Sequence, residues 1–148
     1  MKKRKALAFI TRRNHDGEMQ LLLHEHVDFP EAGVQVPAGT IEEGESPIQA
    51  AKRESMEEVG IGRLKYIKTI GTYDYCAEYD NNNIHERHII HFHAPSGGED
   101  RWDHRVSSGG FDKGLLFRCY WKNLKSIGEL AGDQHIFLDK IRIEGSEI

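Results

Sequence analysis

The order of strand-like and helix-like patterns along the sequence predicts an α/β domain in which helices pack on a β-sheet. Segments rich in β-branched and aromatic residues lie on both sides of one helical pattern, and a second helical pattern closes the chain. The chain has 148 residues, of which 38% are hydrophobic and 30% charged. This length and composition suit one globular domain with a single core, so we expect residues 1–148 to form one domain.

The first segments predict a β-hairpin followed by a short strand. Ala6–Thr11 has the composition of a buried strand, residues 14–17 form a tight Asn-His-Asp-Gly turn, and Met19–His26 is the returning strand. Val34–Pro37 is a further short strand, which brings the chain to Gly39.

A helix is expected to begin after Ser46. Ser46 can act as the N-cap, Pro47 suits the first helical position, and Gln49 completes a capping box. One face of this helix carries small and apolar residues and would dock on the sheet, while the acidic residues point to the other side. The sheet-facing residues are Ile48, Ala51, Ser55 and Val59.

The second half of the chain alternates strands with turns and one long irregular stretch. A turn is predicted at residues 80–83, because Asp-Asn-Asn-Asn has strong turn chemistry. Residues 95–110 are rich in Gly, Ser and charge, and so long a loop in a compact domain is usually functional or disordered. The predicted strands are Leu64–Tyr79, Ile84–His93 and Leu115–Trp121, and the closing amphipathic helix is Gln134–Ile143.

The charge and composition argue against several classes of protein. A net charge of −4 and a pI of about 6.1 disfavour a nonspecific nucleic-acid binder, which needs a basic face. The basic residues 2–5 are interpreted as a solubilising tail. No apolar stretch approaches the roughly 20 residues that span a bilayer, so no membrane partner is expected. Cys76 and Cys119 lack metal-type spacing and favour a reducing, cytoplasmic setting.

Three glutamates are concentrated within two turns of the first predicted helix. Glu54, Glu57 and Glu58 would lie within an arc of about 100°, where like charges repel each other. A cation among them would relieve that repulsion, and carboxylate oxygens are hard ligands that suit Mg²⁺ or Mn²⁺. Mg²⁺ commonly completes its shell with water and substrate phosphates. The pattern therefore predicts a Mg²⁺ or Mn²⁺ site for a phosphorylated substrate.

The alternative for these glutamates is a solvated helix face, which is the common role of neighbouring charges on a helix. The flanking sequence favours the functional interpretation. Glycine-containing turns at residues 37–39 and 59–61, with Gly44 between them, mark a strand, loop and helix unit rather than an isolated charged helix.

The 23 residues from Gly39 to Ile61 resemble the signature box of the Nudix hydrolases. That box runs glycine, five residues, glutamate, seven residues, Arg-Glu, an aliphatic residue, any residue, Glu-Glu, any residue, glycine and an aliphatic residue. Ser55 stands where the family usually has an aliphatic side chain, and its hydroxyl can bond the carbonyl one turn earlier. The fixed positions are occupied by Gly39, Glu45, Arg53, Glu54, Glu57, Glu58, Gly60 and Ile61.

The resemblance implies a fold and a set of site residues. The fold would be the Nudix α/β/α sandwich with a mixed sheet. Arg53 would be an orienting residue that pairs with Glu45 or a metal-binding carboxylate rather than a direct substrate clamp, and an ordinary surface arginine is the alternative. The implied metal ligands are Glu54, Glu57 and Glu58, with the carbonyl of Gly39 as an additional ligand.

The general base stays open, because in this family it can be a box glutamate or an acid from a distant loop. Glu58 is the first choice inside the box. Glu99, Asp100 and Asp103 are candidates from the long loop and Glu86 is a weaker one, with simple solvation as the alternative. Catalytic roles are therefore expected for Glu58, Arg53, Glu45 and Glu99.

Histidines and aromatic residues outside the box give weaker signals. His91 and His93, and likewise His24 and His26, alternate on a strand, but no third ligand is tied to them by spacing, so pocket lining is preferred to a zinc site. Aromatic rings can stack on a nucleobase, although core packing is their more common role. The aromatic candidates are Tyr75, Tyr79, Trp102 and Phe111.

Nudix enzymes typically cleave a nucleoside diphosphate linked to another group, so the resemblance implies a hydrolase acting on a small nucleotide. The chain lacks the downstream proline that resembles ADP-sugar enzymes and the aromatic-proline motif of NADH diphosphatases. Tyr79 lies 18 residues beyond Ile61, a placement similar to that of a tyrosine associated with dinucleoside-polyphosphate hydrolases.

Three other functions stay open. One is a sanitising nucleoside-triphosphate pyrophosphohydrolase, and another is an RNA 5′-end hydrolase, which the acidic charge disfavours. The third is a non-catalytic Nudix-like binding module, against which the intact Arg53, Glu54, Glu57 and Glu58 argue. The nucleobase, the leaving group and the formation of a homodimer are also left open.

Overall fold

The computed structural model describes residues 2–106 and 114–144, which form a β-sheet and two α-helices. The helices are α1, Pro47–Val59, and α2, Leu138–Glu144. Within these described ranges, neither helix is long and apolar enough to cross a membrane. The strands are β1, Lys2–Arg13; β2, Met19–His26; β3, Ala38–Thr40; β4, Lys65–Ala77; β5, Asn83–His93; β6, Arg101–Arg105; and β7, Leu116–Asn123.

The sheet is mixed, as the resemblance implied. Its strand order is β4-β5-β1-β2-β7-β6, and β3 pairs with β1. β1 is parallel to β5 and antiparallel to both β2 and β3. β1 changes its antiparallel neighbour along its length, since Thr11 pairs with Leu21 of β2 whereas Leu7 pairs with Ala38 of β3. The short strand β3 therefore lies beside the first half of β1.

Alternate residues of β1 enter two hydrophobic cores on opposite faces of the sheet. Ala8 belongs to the core that contains Ala51 of α1, and Leu7 belongs to the core that contains Ile141 of α2. Because successive side chains of a strand point to opposite faces, this alternation places the two helices in separate layers. The α/β/α arrangement is thus confirmed.

The predicted start and sheet-facing side of α1 are confirmed. Ser46 Oγ accepts a hydrogen bond from the Gln49 backbone N–H at 3.1 Å, and Gln49 Oε1 accepts one from the Ser46 N–H at 2.9 Å. The Ser55 hydroxyl is buried and donates to the Ala51 carbonyl at 2.7 Å. This bond satisfies the one polar group on the helix face that packs against the sheet.

The interpretation of residues 2–5 as a solubilising tail is wrong. These residues form the first part of β1, where Lys3 binds Asp80 at 2.8 Å and Lys2 approaches Glu86 at 3.2 Å. The composition of residues 2–5 does not indicate a strand, because these residues are charged and the buried apolar part of β1 begins at Ala6.

Three further boundaries differ from the prediction. Val34–Pro37 is not a strand, since Gln35 forms only an isolated bridge with His24, and the short strand is β3. The stretch 95–110 is not wholly irregular, because it contains β6; residues 107–110 lie outside the described residues. The closing helix α2 begins four residues later than predicted, at Leu138 rather than Gln134.

Candidate active site

A cavity of about 870 Å³ is lined by residues of β1, β3, β5 and α1. Glu54, Glu57 and Glu58 of α1 line it together with Gly39 of β3. We call it the carboxylate cavity. The structure therefore brings all the sequence-predicted metal ligands to one place.

Gly39 allows the Glu54 side chain to lie directly against β3. A Cβ atom at position 39 would lie 2.1 Å from both Cδ and Oε1 of Glu54, which is far closer than atoms pack. Pairing of Gly39 with Ala6 of β1 holds the backbone of β3 in place. Only glycine leaves room for the carboxylate, which explains why the box begins with this residue.

Glu58 is held against the residue before Gly39. Its Oε1 accepts a hydrogen bond from the Ala38 backbone N–H at 2.7 Å. The Nε2 atom of His24 lies 3.8 Å from the same oxygen, but burial lowers the pKa of His24 to about 3. His24 is therefore neutral near pH 7 and does not form an ion pair with Glu58.

Arg53 joins the acidic residues of the helix to the preceding loop. Its Nε and Nη2 atoms donate to the two carboxylate oxygens of Glu45 at 2.8 and 3.0 Å. Nη1 donates to Glu54 at 2.8 Å and to Glu57 at 3.4 Å, and Nη2 also donates to the Thr40 carbonyl at 2.9 Å. The guanidinium thus bonds both Glu45 and metal-binding carboxylates, which the resemblance implied as alternatives, and this geometry suits an orienting residue.

The pairing of Glu45 with Arg53 stabilises the charged forms of both groups. Hydrogen bonding to Arg53 lowers the pKa of Glu45, and bonding to Glu45 raises the pKa of Arg53. The Glu42 backbone N–H adds a further hydrogen bond to Glu45 at 3.0 Å. Glu45 therefore fixes Arg53 from the side opposite to the helix carboxylates.

The donors in the carboxylate cavity fit a divalent cation by type and by placement. They are hard oxygens, and they line one cavity in which glycine admits a carboxylate against the backbone. In the arrangement described, Arg53 and the Ala38 N–H engage these carboxylates, and among residues 2–106 and 114–144 no three acidic, histidine or cysteine side chains are grouped around a common point. Cation binding would therefore require the glutamate side chains to move closer together.

The acids predicted outside the box do not reach the carboxylate cavity. Glu99 lines a separate cavity of about 420 Å³ with Trp102 and Trp121. Asp100 binds Arg12, and Asp103 approaches Arg118 at 3.4 Å. Glu86 accepts a hydrogen bond from His88 Nε2 at 2.8 Å. Glu58 is thus the candidate base that the structure brings to the other site residues, and the role expected of Glu99 loses its geometric support.

The aromatic candidates have different surroundings. Tyr79 lines the carboxylate cavity with 74% of its surface exposed. Tyr75 lies under the Arg87 guanidinium, and the Trp102 indole N–H donates to the Val59 carbonyl at 2.9 Å. Phe111 lies outside the described residues. Tyr79 is therefore the aromatic candidate placed to contact a ligand.

Sequence reasoning missed the cationic residues of this cavity. Lys5 and Arg87 both line it, together with the box glutamates. They lie on β1 and β5, and no signal in a single sequence shows that these two strands pair in parallel. In the sequence, Lys5 is one residue of a basic run and carries no motif of its own.

Comparison with known proteins gives a family match. The sequence model of the NUDIX domain matches residues 1–135. An RNA pyrophosphohydrolase of Helicobacter pylori is 31% identical over 97 residues, which cover 64% of this chain and 57% of that protein. An RNA pyrophosphohydrolase of Bartonella quintana is 39% identical over 67 residues, which cover 42% of this chain and 39% of that protein. The matches thus span about half of these relatives or less.

A solved structure shows the same fold. The crystal structure of an Ap4A hydrolase from C. elegans, in a binary complex, superposes with a TM-score of 0.72. The match covers 99% of both chains at 19% sequence identity. At this identity the likeness supports the fold alone.

Proposed function

The chain belongs to the NUDIX domain family, and we propose that it is a metal-dependent hydrolase that cleaves a diphosphate bond in a nucleotide. The observation that carries the proposal is the gathering of Gly39, Glu54, Glu57 and Glu58 in one cavity, with Arg53 bonded to two of the carboxylates. Diphosphate hydrolysis needs charge neutralised on phosphoryl oxygens, an activated water and an in-line arrangement of the two.

The box residues take distinct roles in this proposal. A divalent ion, Mg²⁺ or Mn²⁺, would supply charge neutralisation and water activation when held by Glu54, Glu57, Glu58 and the Gly39 carbonyl. Arg53 orients Glu54 and Glu57 through its Nη1 atom. These contacts restrict the two flexible side chains before the ion binds, which reduces the entropy lost on binding.

Glu58 is the proposed general base, and Glu45 is a positioning residue. Glu58 is fixed by the Ala38 N–H and would accept a proton from the attacking water. Glu45 holds Arg53 by two hydrogen bonds and acts on the reaction only through that arginine.

The proposed substrate is a nucleoside diphosphate linked to another group, with dinucleoside polyphosphates as the favoured class. Tyr79 supports this, because its exposed ring lines the cavity and can stack on a base. A second candidate is the 5′-polyphosphate end of an RNA, which is favoured by the names of the two relatives. The free thiols Cys76 and Cys119 agree with the proposed reducing, cytoplasmic setting.

A hydrolysis panel tests the activity. The purified chain is assayed with Mg²⁺, with Mn²⁺ and with excess chelator on diadenosine tetraphosphate, ADP-ribose, a nucleoside triphosphate and an RNA carrying a 5′-triphosphate. We expect metal-dependent cleavage of a diphosphate bond in at least one of them. Full activity in chelator would contradict the metal role, and no cleavage in any assay would contradict the hydrolase.

Two substitutions then compare the two candidate bases. Glu58→Gln removes both the proton acceptor and a metal ligand, and it should lower turnover by about 100-fold or more. Glu99→Gln makes the same change at the acid that lies in the separate cavity, so it should have little effect on turnover. A loss in Glu99→Gln equal to that in Glu58→Gln would reassign the base to the loop before β6.

A further inference from the structure

We propose that Lys5 and Arg87 form a phosphate-binding subsite that selects substrates with three or more consecutive phosphates. This inference rests on the proposed function, because it takes the cleaved diphosphate to lie at the box glutamates. It adds a binding site within the carboxylate cavity, at the residues of β1 and β5 that line it.

The sheet places these cations side by side. In the parallel pairing of β1 with β5, Lys5 is the partner of Arg87. In the antiparallel pairing of β1 with β3, Lys5 is the partner of Thr40, next to Gly39. Directly paired residues point to the same face of a sheet, so two positive side chains and the start of the box share one wall.

Arg87 is a buried cation whose partners are all neutral. Only 3% of its surface is exposed, and its guanidinium lies 3.8 Å from the centroid of the Tyr75 ring. Nη1 donates to the Tyr73 hydroxyl at 3.2 Å and to the Gly132 carbonyl. Across the described ranges of the chain, no carboxylate lies within 4.0 Å of this guanidinium. A buried charge without a counter-charge costs free energy that a bound anion would recover.

Lys5 differs from the other basic residues at the start of β1. Lys2, Lys3 and Arg4 each have a carboxylate within 4.0 Å. Half-buried Lys5 donates to the Thr40 hydroxyl at 2.6 Å, and no carboxylate among the described residues lies within 4.0 Å of its ammonium. Burial lowers the pKa of Lys5, as expected for an ammonium withdrawn from water. Lys5 is thus the basic residue of this run that is available to an anion in the cavity.

The number of phosphates follows from the separation of the two cations from the glutamates. Because no carboxylate of the described residues lies within 4.0 Å of Lys5 or Arg87, the phosphate that they bind is a further group beside the diphosphate held at the glutamates. Dinucleoside tetraphosphates and 5′-triphosphate ends carry such a group, whereas a diphosphate joined to a sugar does not. Charge-assisted hydrogen bonds from Lys and Arg suit phosphate oxygens.

Steady-state kinetics test this selectivity. Lys5→Gln should raise KM for diadenosine tetraphosphate by about 10- to 100-fold, the effect of losing a hydrogen bond to a charged group, and leave KM for ADP-ribose near wild type. Lys5→Arg keeps the charge and should retain most of the affinity. Lys2→Gln is the matched control, because Lys2 lies on the same strand but pairs with Asp74 and Glu86 outside the cavity. An equal rise in KM for both substrates would overturn the selectivity.

A binding experiment separates this inference from the proposed hydrolysis. Calorimetry with inorganic tripolyphosphate and no divalent ion should show binding to wild type and to Lys2→Gln, and binding weakened by at least about tenfold in Lys5→Gln. Equal binding by wild type and Lys5→Gln, or no binding to wild type, would overturn the subsite. Lys5-dependent binding without hydrolysis of any panel substrate would support the subsite and overturn the hydrolase instead.

Discussion

At the scale of single residues, the absence of a side chain at Gly39 determines where Glu54 lies. We expect Gly39→Ala to displace the Glu54 carboxylate and to lower turnover by about 100-fold, since misplacement by about 1 Å can have that effect. The carboxylate is the mobile end of a flexible side chain, so the fold should tolerate the methyl group. Steady-state turnover and the unfolding midpoint of the variant measure both effects.

Gly128→Ala is the matched control for this substitution. A Cβ atom at Gly128 meets no atom within 4 Å, and like Gly39 this residue lacks the positive φ that strains other residues. The control should therefore resemble wild type in both measurements. Wild-type turnover in Gly39→Ala would show that activity does not depend on the position of Glu54 against β3.

The sequence predicts Gly39 and the glutamates but not the residues that face them. The box residues lie within 23 positions, and helical spacing alone places Glu54, Glu57 and Glu58 on one side of α1. Lys5 and Arg87 meet only because β1 and β5 pair in parallel. Such pairing depends on the folding of the whole sheet, and it leaves no local signal in either strand.

At the scale of secondary structure, β6 is an element that the sequence did not predict. Its residues Arg101–Arg105 alternate between exposed and half-buried positions, so the strand lacks the apolar composition of a core strand. Its two inward side chains instead bind carbonyls near the end of α1. Trp102 donates to Val59, and His104 Nε2 lies 3.0 Å from the Glu57 carbonyl. The last carbonyls of a helix have no partner within the helix, so these two side chains of β6 supply hydrogen bonds that the end of α1 would otherwise lack.

Substitutions of Trp102 distinguish two roles for its ring: support of the end of α1, and stacking on the base of a nucleotide. Trp102→Phe keeps most of the packing but removes the donor to Val59, so we expect a loss of about 1 kcal/mol in the free energy of unfolding in urea. Trp102→Ala should cost about 2–3 kcal/mol, because it also removes the packing of the half-buried ring. If Trp102→Phe instead raises KM without loss of stability, the ring contacts substrate.

At the scale of the whole molecule, the fold brings more acidic than basic side chains together around Arg53 of α1. Glu45, Glu54 and Glu57 share the single positive charge of Arg53, and Glu58 lies beside them. The two cores on opposite faces of the sheet stabilise this arrangement, although like charges oppose it. The resemblance implied the layers of the fold and the pairing of Arg53, whereas the hydrogen bond from the Ala38 N–H to Glu58 depends on how β3 lies against α1 in the folded chain.

The repulsion among these glutamates, and its relief by a bound ion, should be measurable as changes in the unfolding temperature. We expect Mg²⁺ or Mn²⁺ at about 100 times its dissociation constant to stabilise wild type by about 2.7 kcal/mol, because the ion binds only the folded chain. Glu57→Gln relieves repulsion among the carboxylates, so its unfolding temperature in chelator should equal or exceed that of wild type. This variant also lacks one proposed metal ligand, so the rise in its unfolding temperature on adding metal should be smaller.

Glu129→Gln, the same change at an exposed acid far from α1 in sequence, is the control and should behave as wild type. An equal rise in Glu57→Gln, or no rise in wild type, would show that the glutamates do not bind the ion.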